Sequence, residues 1–194
     1  ILRRKRSGLN FGRRKKKVNM GIVKEVAGWI FEIVVTVLIA FTCVYFAGLR
    51  TSVVGQSMEG TLSSGDEILV NRFLYKVTDP KPNDLVVFLP NGNEKSHYYV
   101  KRVIAVPGDT VLIRNGAVYV NGELFQEEAE VASIEEAGLA AEEITLGDDE
   151  YFVLGDNRNN SEDSRYANIG NVKKEYMIGK AWFRIAPLGK FGFL

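Results

Sequence analysis

The sequence predicts a mostly β outer domain carried behind one N-terminal transmembrane helix. Three observations lead there: a basic block at the start, one long apolar run after it, and short β-type runs broken by turn residues through the rest. Ten of the 25 Lys and Arg fall in the first 24 residues. The other 15 face 22 Asp and Glu beyond Glu32, so the formal net charge of +1 joins a basic head to a body near −7. Apolar residues at 46% and charged residues at 25% match an ordinary folded domain, which excludes a disordered tail protein and a many-span transporter. The single Cys, Cys43, excludes a disulfide framework, and the single His, His97, argues against a His-rich metal site.

Residues 1–24 form the expected cytoplasmic head, whose like charges repel and cannot bury a core. Residues 25–49 follow as the expected membrane helix. Its apolar part, 29–49, has 21 residues and spans ~31 Å at 1.5 Å per residue, the thickness of a bilayer's hydrocarbon layer. Glu32 sits a turn from the basic end and is expected to reach the interface. A cleaved secretory leader is disfavoured, because the run exceeds the usual ~7–15 residues and no pair of small residues marks a cut near Tyr45-Phe46-Ala47-Gly48. Cys43, preceded by Thr42, reads as an inert buried thiol. Positive residues stay on the cytoplasmic side, so residues 50–194 are expected outside it in a single-pass plasma-membrane protein. The head beside such a span is expected to meet anionic lipid, not nucleic acid.

Beyond Thr51 the β-type runs include 67–71, 84–89, 98–106 and 151–154. Turns are expected at Asn91-Gly92, Pro107-Gly108, Asn115-Gly116 and Asn121-Gly122, where Gly or Asn supplies positive φ at little cost. Residues 110–125 thus predict two tight hairpins in succession. Residues 126–143, rich in Glu and Ala, fit a short amphipathic helix or an acidic loop equally well.

Three segments carry dense polar chemistry: 55–62 (Gly-Gln-Ser-Met-Glu-Gly-Thr-Leu), 100–109 (Val-Lys-Arg-Val-Ile-Ala-Val-Pro-Gly-Asp) and 155–165 (Gly-Asp-Asn-Arg-Asn-Asn-Ser-Glu-Asp-Ser-Arg). Taken singly, Ser57 reads as a turn residue, Lys101 as a strand residue reaching solvent, and the third segment as a polar loop. Together they resemble type I signal peptidases (leader peptidases), the membrane-bound Ser-Lys serine proteases that remove signal peptides from exported preproteins. Lys-Arg-Val-Ile-x-x-Pro-Gly-Asp and Gly-Asp-Asn-Arg-x-x-Ser-x-Asp-Ser-Arg are complete and in the family's order, and 179–188 resembles its last core strand.

The resemblance implies an antiparallel β-sheet catalytic domain with a small inserted β-hairpin subdomain at about 110–149. It implies Ser57 as nucleophile and Lys101 as general base, needing no metal or cofactor. A Ser hydroxyl needs a base to take its proton during attack, and an ammonium cannot accept one, so Lys101 must be neutral when competent; burial is the usual cause. Strand alternation puts Lys101, Val103 and Ala105 on one face, with Arg102 pointing away. By resemblance, Ser161 orients the Lys101 amine, and Asp156, Arg158, Asp163, Arg165 and Arg102 brace the site, with Asp163 and Arg102 as partners. Met58, Gly55 and Gly60 shape the turn or the substrate site beside Ser57. Gly60 departs from the family, which usually carries Pro there, and Gly55 stands where some members have an oxyanion-binding hydroxyl, leaving backbone N–H groups for that task. The implied partners are preproteins and the lipid bilayer; no oligomer is predicted. Substrates are expected to pair with strand edges and to place small side chains at the first and third positions before the cut. Ser57 lies eight residues after Leu49, within ~29 Å of it even when fully extended, so the site stays near the membrane.

Competing motifs fail. Glu59 stands where a nucleophile elbow needs Gly. Arg158 and Ala167 occupy calcium-loop positions that need oxygen ligands, and a glycan on Asn159 would crowd the expected site. Two alternatives remain: an inactive membrane-anchored paralogue that binds signal sequences, motivated by Gly60, and a protease dedicated to one secreted client.

Overall fold

The computed structural model describes residues 20–194, apart from the side chains of residues 43 and 45–47. The basic head therefore lies outside the described residues as far as residue 19, as does the setting of Cys43. The chain divides into two units after Thr42.

The first long element is helix α1 (Met20–Ala47). Thr36 and Thr42 donate their hydroxyls to the carbonyls of Glu32 and Leu38 at 2.8 Å. Among the described residues, no helix is long and apolar enough to cross a membrane. Lys24, Glu25 and Glu32 interrupt the first half of α1, and its uncharged part, residues 33–47, spans only ~22 Å against a hydrocarbon layer of about 30 Å. The span expected to reach Leu49 is also shortened at its end. Gly48 and Leu49 belong instead to strand β1 (Gly48–Ser52), where they pair with Asn71 and Val70.

The chain continues through β2 (Glu67–Asn71), a short helix α2 (Leu74–Val77), β3 (Leu85–Phe88) and β4 (Tyr99–Ala105). Then come β5 (Thr110–Arg114), β6 (Ala117–Val120), β7 (Glu123–Leu124), β8 (Ile144–Thr145), β9 (Glu150–Leu154), β10 (Val172–Lys173), β11 (Met177–Ala186) and β12 (Gly192–Phe193). Two antiparallel sheets result, in accord with the mostly β expectation. The larger runs β1-β2-β11-β3-β4-β9-β10 with β12 beside β11, and the smaller runs β7-β6-β5-β8.

Local chemistry explains the smaller sheet. Asn115 and Gly116 have φ of 52° and 76°, and Asn121 and Gly122 have 52° and 79°. Two-residue turns with both central residues at positive φ match the twist of the strands they join. Val111, Ile113 and Val118 point inward and share one core with Ile104, Ala105, Phe152 and Leu154 of the larger sheet. Residues 126–143 resolve to the loop alternative, with a single 3₁₀ turn at Gly138–Ala141 and with Ile134 and Ala140 buried.

Strand β4 departs from simple alternation. Tyr99 and Val103 pack with Val86, Phe88 and Val153, but the register against β9 shifts between Val103 and Ala105. A β-bulge of this kind re-aims the residues after it. Ala105 consequently joins Ile104 in the core shared with the smaller sheet, and leaves the face where alternation put it with Lys101 and Val103.

Because Phe152 is fully buried where the two sheets meet, Phe152→Ala is expected to cost about 3–5 kcal/mol of stability. Denaturant unfolding of the outer domain measures this, and a loss below about 1 kcal/mol would contradict a shared core.

Candidate active site

Strand β9 stops pairing with β4 at Leu154, opposite Arg102, while β3 continues along the other side of β4 as far as Tyr99. Among the described residues, the segment Tyr99–Val100–Lys101 therefore has one paired edge and one open edge. The chain that leaves β9 turns across this opening, and the segment after β1 meets it there. Asn157 donates its backbone N–H to the Ser57 carbonyl at 3.0 Å, and its side-chain amide donates to the Gln56 carbonyl at 3.0 Å. Gly155 makes the approach possible. A Cβ at that position would lie 2.1 Å from Ser161 Oγ and 2.4 Å from the Ser57 carbonyl oxygen. The result is a cavity of about 630 Å³ lined by Gly55, Ser57, Tyr99, Lys101, Ser161 and Glu162, among others.

Lys101 is only 2% exposed, and its Nζ lies 5.5 Å from the centroid of the Tyr99 ring. Burial lowers its pKa to about 8, against an opposing pull from the carboxylates of Asp163, Glu162 and Asp156. An amine with this pKa is substantially neutral at mildly alkaline pH and can accept a proton.

Two buried bidentate pairs flank the cavity. Arg102 Nε and Nη2 donate to Asp156 Oδ1 and Oδ2 at 2.8 and 2.7 Å. Arg165 Nε and Nη2 donate to Asp163 Oδ1 and Oδ2 at 2.8 and 2.9 Å. Asp163 also accepts from Gly155 N at 3.1 Å and from Ser161 Oγ at 2.7 Å.

Residues 26–186 match the family model described as signal peptidase, peptidase S26. The chain belongs to this family. A probable signal peptidase I-2 of Synechocystis is 36% identical over 157 residues, covering 76% of this chain and 70% of the relative. Signal peptidase I P of Bacillus subtilis subsp. natto is 35% identical, covering 86% and 92%. Signal peptidase IB of Staphylococcus aureus is 34% identical, covering 87% and 93%. A solved signal peptidase I from Enterococcus faecalis aligns with a TM-score of 0.41 and 29% identity, over 54% of this chain and 97% of the other. The protein is thus a serine endopeptidase.

Geometry corrects one expectation about this peptidase's site and details the others. Arg102 pairs with Asp156, not Asp163, because β4 aims it at the chain leaving β9; Asp163 is taken by Arg165. Ser161 gives its one proton to Asp163, so any contact with the Lys101 amine has Ser161 as acceptor. Met58 is 1% exposed and packs with Val53, Leu62 and Ile68 in the core, outside the cavity lining. Gly55 lines the cavity. Gly60 takes φ of +104°, far from the value near −65° that Pro requires. The turn is nonetheless held, with the N–H groups of Thr61 and Leu62 both donating to the Met58 carbonyl.

Sequence reasoning gave no role to Glu127, Thr61, Tyr99 or Glu162. Glu127, from the acidic loop, accepts a bidentate pair from Arg158 at 2.7 and 2.8 Å, and Arg158 Nε in turn donates to the Gly155 carbonyl. Thr61 Oγ1 donates to Asp156 Oδ2 at 2.6 Å and ties the Ser57 turn to the Arg102 pair. Tyr99 donates to Glu162 at 3.2 Å, and burial together with that carboxylate raises its pKa. Thr61 and Glu162 stood inside the polar segments 55–62 and 155–165, and Tyr99 stood two residues before Lys101 on a strand; Glu127 carried no such signal.

Gly155→Ala is expected to lower kcat/KM by at least about 100-fold, because its methyl would push Ser57 and Ser161 apart by more than the ~1 Å misplacement that already costs that much. Peptide cleavage by the folded variant checks this, and near-normal turnover would mean that the two serines need not converge.

Proposed function

We propose that this peptidase removes N-terminal signal peptides from exported preproteins, using Ser57 as nucleophile and Lys101 as general base, while α1 holds it at the membrane. The observation that carries this reading is a buried amine, with its pKa lowered to about 8, in the cavity that Ser57 lines. The relatives named signal peptidase I support the substrate class.

Ser57 Oγ attacks the scissile carbonyl carbon while its proton passes to neutral Lys101 Nζ. Backbone N–H groups, that of Ser57 among them, stabilise the developing oxyanion. Collapse of the tetrahedral intermediate expels the amine, which takes the proton from Lys101, and leaves an ester on Ser57. Lys101 then takes a proton from water as it attacks the ester, and the released hydroxyl of Ser57 regains a proton from Lys101. Ser161, its own proton held by Asp163, keeps lone pairs free to accept an N–H of the amine, which turns the nitrogen's lone pair toward Ser57.

The open edge at Tyr99–Lys101 supports binding of the substrate as an added strand, with affinity from main-chain hydrogen bonds. The cavity wall at Val54 and Tyr98 supplies apolar surface for small side chains at the first and third positions before the cut.

Membrane attachment through α1 is supported by its exposed apolar side chains, including Val34, Val37, Leu38 and Ile39. Residues 33–47 alone fall short of the hydrocarbon layer. Attachment therefore requires the Glu32 carboxylate to reach the headgroups with residues 28–31 immersed, or local thinning of the bilayer.

Incubation with a preprotein bearing an Ala-x-Ala boundary tests the function. Cleavage after the second Ala is expected, and Ser57→Ala and Lys101→Ala are each expected to abolish it. Binding without cleavage would support the scaffold alternative, and cleavage of one client only the dedicated protease. The pH profile tests the base. The active form is the neutral amine, so kcat/KM is expected to fall about tenfold per pH unit below about pH 8 and to level off above it. A flat profile between pH 6 and 9 would rule out Lys101 as the base.

A further inference from the structure

The active-site cavity does not end at the catalytic pair. A second cavity of about 510 Å³ shares Val54, His97 and Tyr98 with it and continues along β1, adding Thr51, Ser52 and Glu94 to the walls. Two features give this extension a direction and a chemistry.

The direction follows from the chain itself. Thr51 and Ser52 end strand β1, which begins at Gly48, directly after α1. Moving along this wall away from Ser57 is therefore moving back toward the point where the peptidase's own apolar helix enters its outer domain. A substrate that carries its apolar segment before the cut has the same layout. In that layout its residues between that segment and the scissile bond would run beside β1, the terminal strand of the larger sheet among the described residues. From Val54 to Thr51 is about 10 Å of extended chain, or three substrate residues beyond those held near Ser57.

The chemistry follows from the lining. Among the described residues, Glu94 is the only carboxylate in the second cavity and no Lys or Arg lines it. Glu94 also takes no part in the salt bridges of the described residues. Hydroxyls of Thr51, Ser52, Ser96 and Tyr98 supply further polar surface. This differs from the wall beside Ser57, where small apolar groups fit.

We propose that this second cavity is a polar subsite for the substrate segment about four to six residues before the scissile bond, and that Glu94 makes it prefer cationic over acidic side chains there. The inference rests on the proteolytic reading and on attachment through α1. Glu94 is exposed, so its discrimination is that of a surface charge pair, worth about three- to fivefold in kcat/KM at low salt and less at high salt.

The test uses the full chain in detergent with two peptides that share an Ala-x-Ala boundary and differ only in Lys or Glu at the fifth residue before the cut. The readout is the ratio of their kcat/KM values, which is insensitive to a general loss of activity. The wild type is expected to favour the Lys peptide about three- to fivefold, Glu94→Gln to bring the ratio near one, and Glu94→Lys to invert it. A ratio that is the same in all three enzymes overturns the subsite and leaves the proteolytic reading standing. Failure of the wild type to cleave either peptide removes that reading, and the subsite with it.

Discussion

Burial of one amine is the constraint around which the site is arranged. Lowering Lys101 from the ordinary 10.5 to about 8 corresponds to roughly 3 kcal/mol of disfavoured charge in the folded state. The sign follows from the direction of the shift. Below about pH 8 the amine is protonated in both folded and unfolded chains, and the full cost opposes folding. Between about 8 and 10.5 the folded state binds fewer protons than the unfolded one, so stability rises with pH; above 10.5 the cost is gone. The rest of the domain carries this cost at neutral pH. The carboxylates of Asp163, Glu162 and Asp156 pull the amine back toward its charged form. Two of them, Asp163 and Asp156, are held by bidentate arginines; Arg165 also helps keep the amine neutral, and both pairs tie the loops in position.

Backbone economy brings the serines to the cavity that this amine lines. Strand β9 ends at Leu154, which opens the edge of β4 beside Lys101, and the side-chain-free Gly155 lets Ser57 and Ser161 close on the gap. Thr61 ties the Ser57 turn to Asp156, so that turn and the Arg102 pair are joined directly by a hydrogen bond. The positive φ of Gly60 belongs to the same arrangement. It is a defined turn secured by two N–H groups on the Met58 carbonyl, and a Pro introduced there would break it.

The β architecture, the two Asn-Gly hairpins and the three polar segments were legible because each rests on local chemistry: turn residues that need positive φ, and motifs short enough to read along the chain. Arg102's partner was not legible, since alternation says only that it points away from Lys101, and whether Asp156 or Asp163 meets it depends on where β9 stops. Ala105 was misplaced because a β-bulge shifts register without a residue type that announces it. Met58 stands next to Ser57 in sequence yet packs in the core, as a turn sends neighbours to opposite sides. Glu127 was hidden in an acidic loop whose ambiguous pattern gave no hint that one carboxylate would clamp Arg158. The end of α1 was set by pairing of Gly48 and Leu49 with β2, a tertiary contact that apolarity alone cannot signal.

The most direct measurement is an NMR titration of the peptidase carrying isotope-labelled lysine, with the Lys101 resonance assigned by its loss in Lys101→Met. A midpoint near pH 8, well below that of the exposed lysines, is the predicted result. A midpoint near 10.5 would show an amine in contact with water and charged at neutral pH, and would contradict the role given to Lys101.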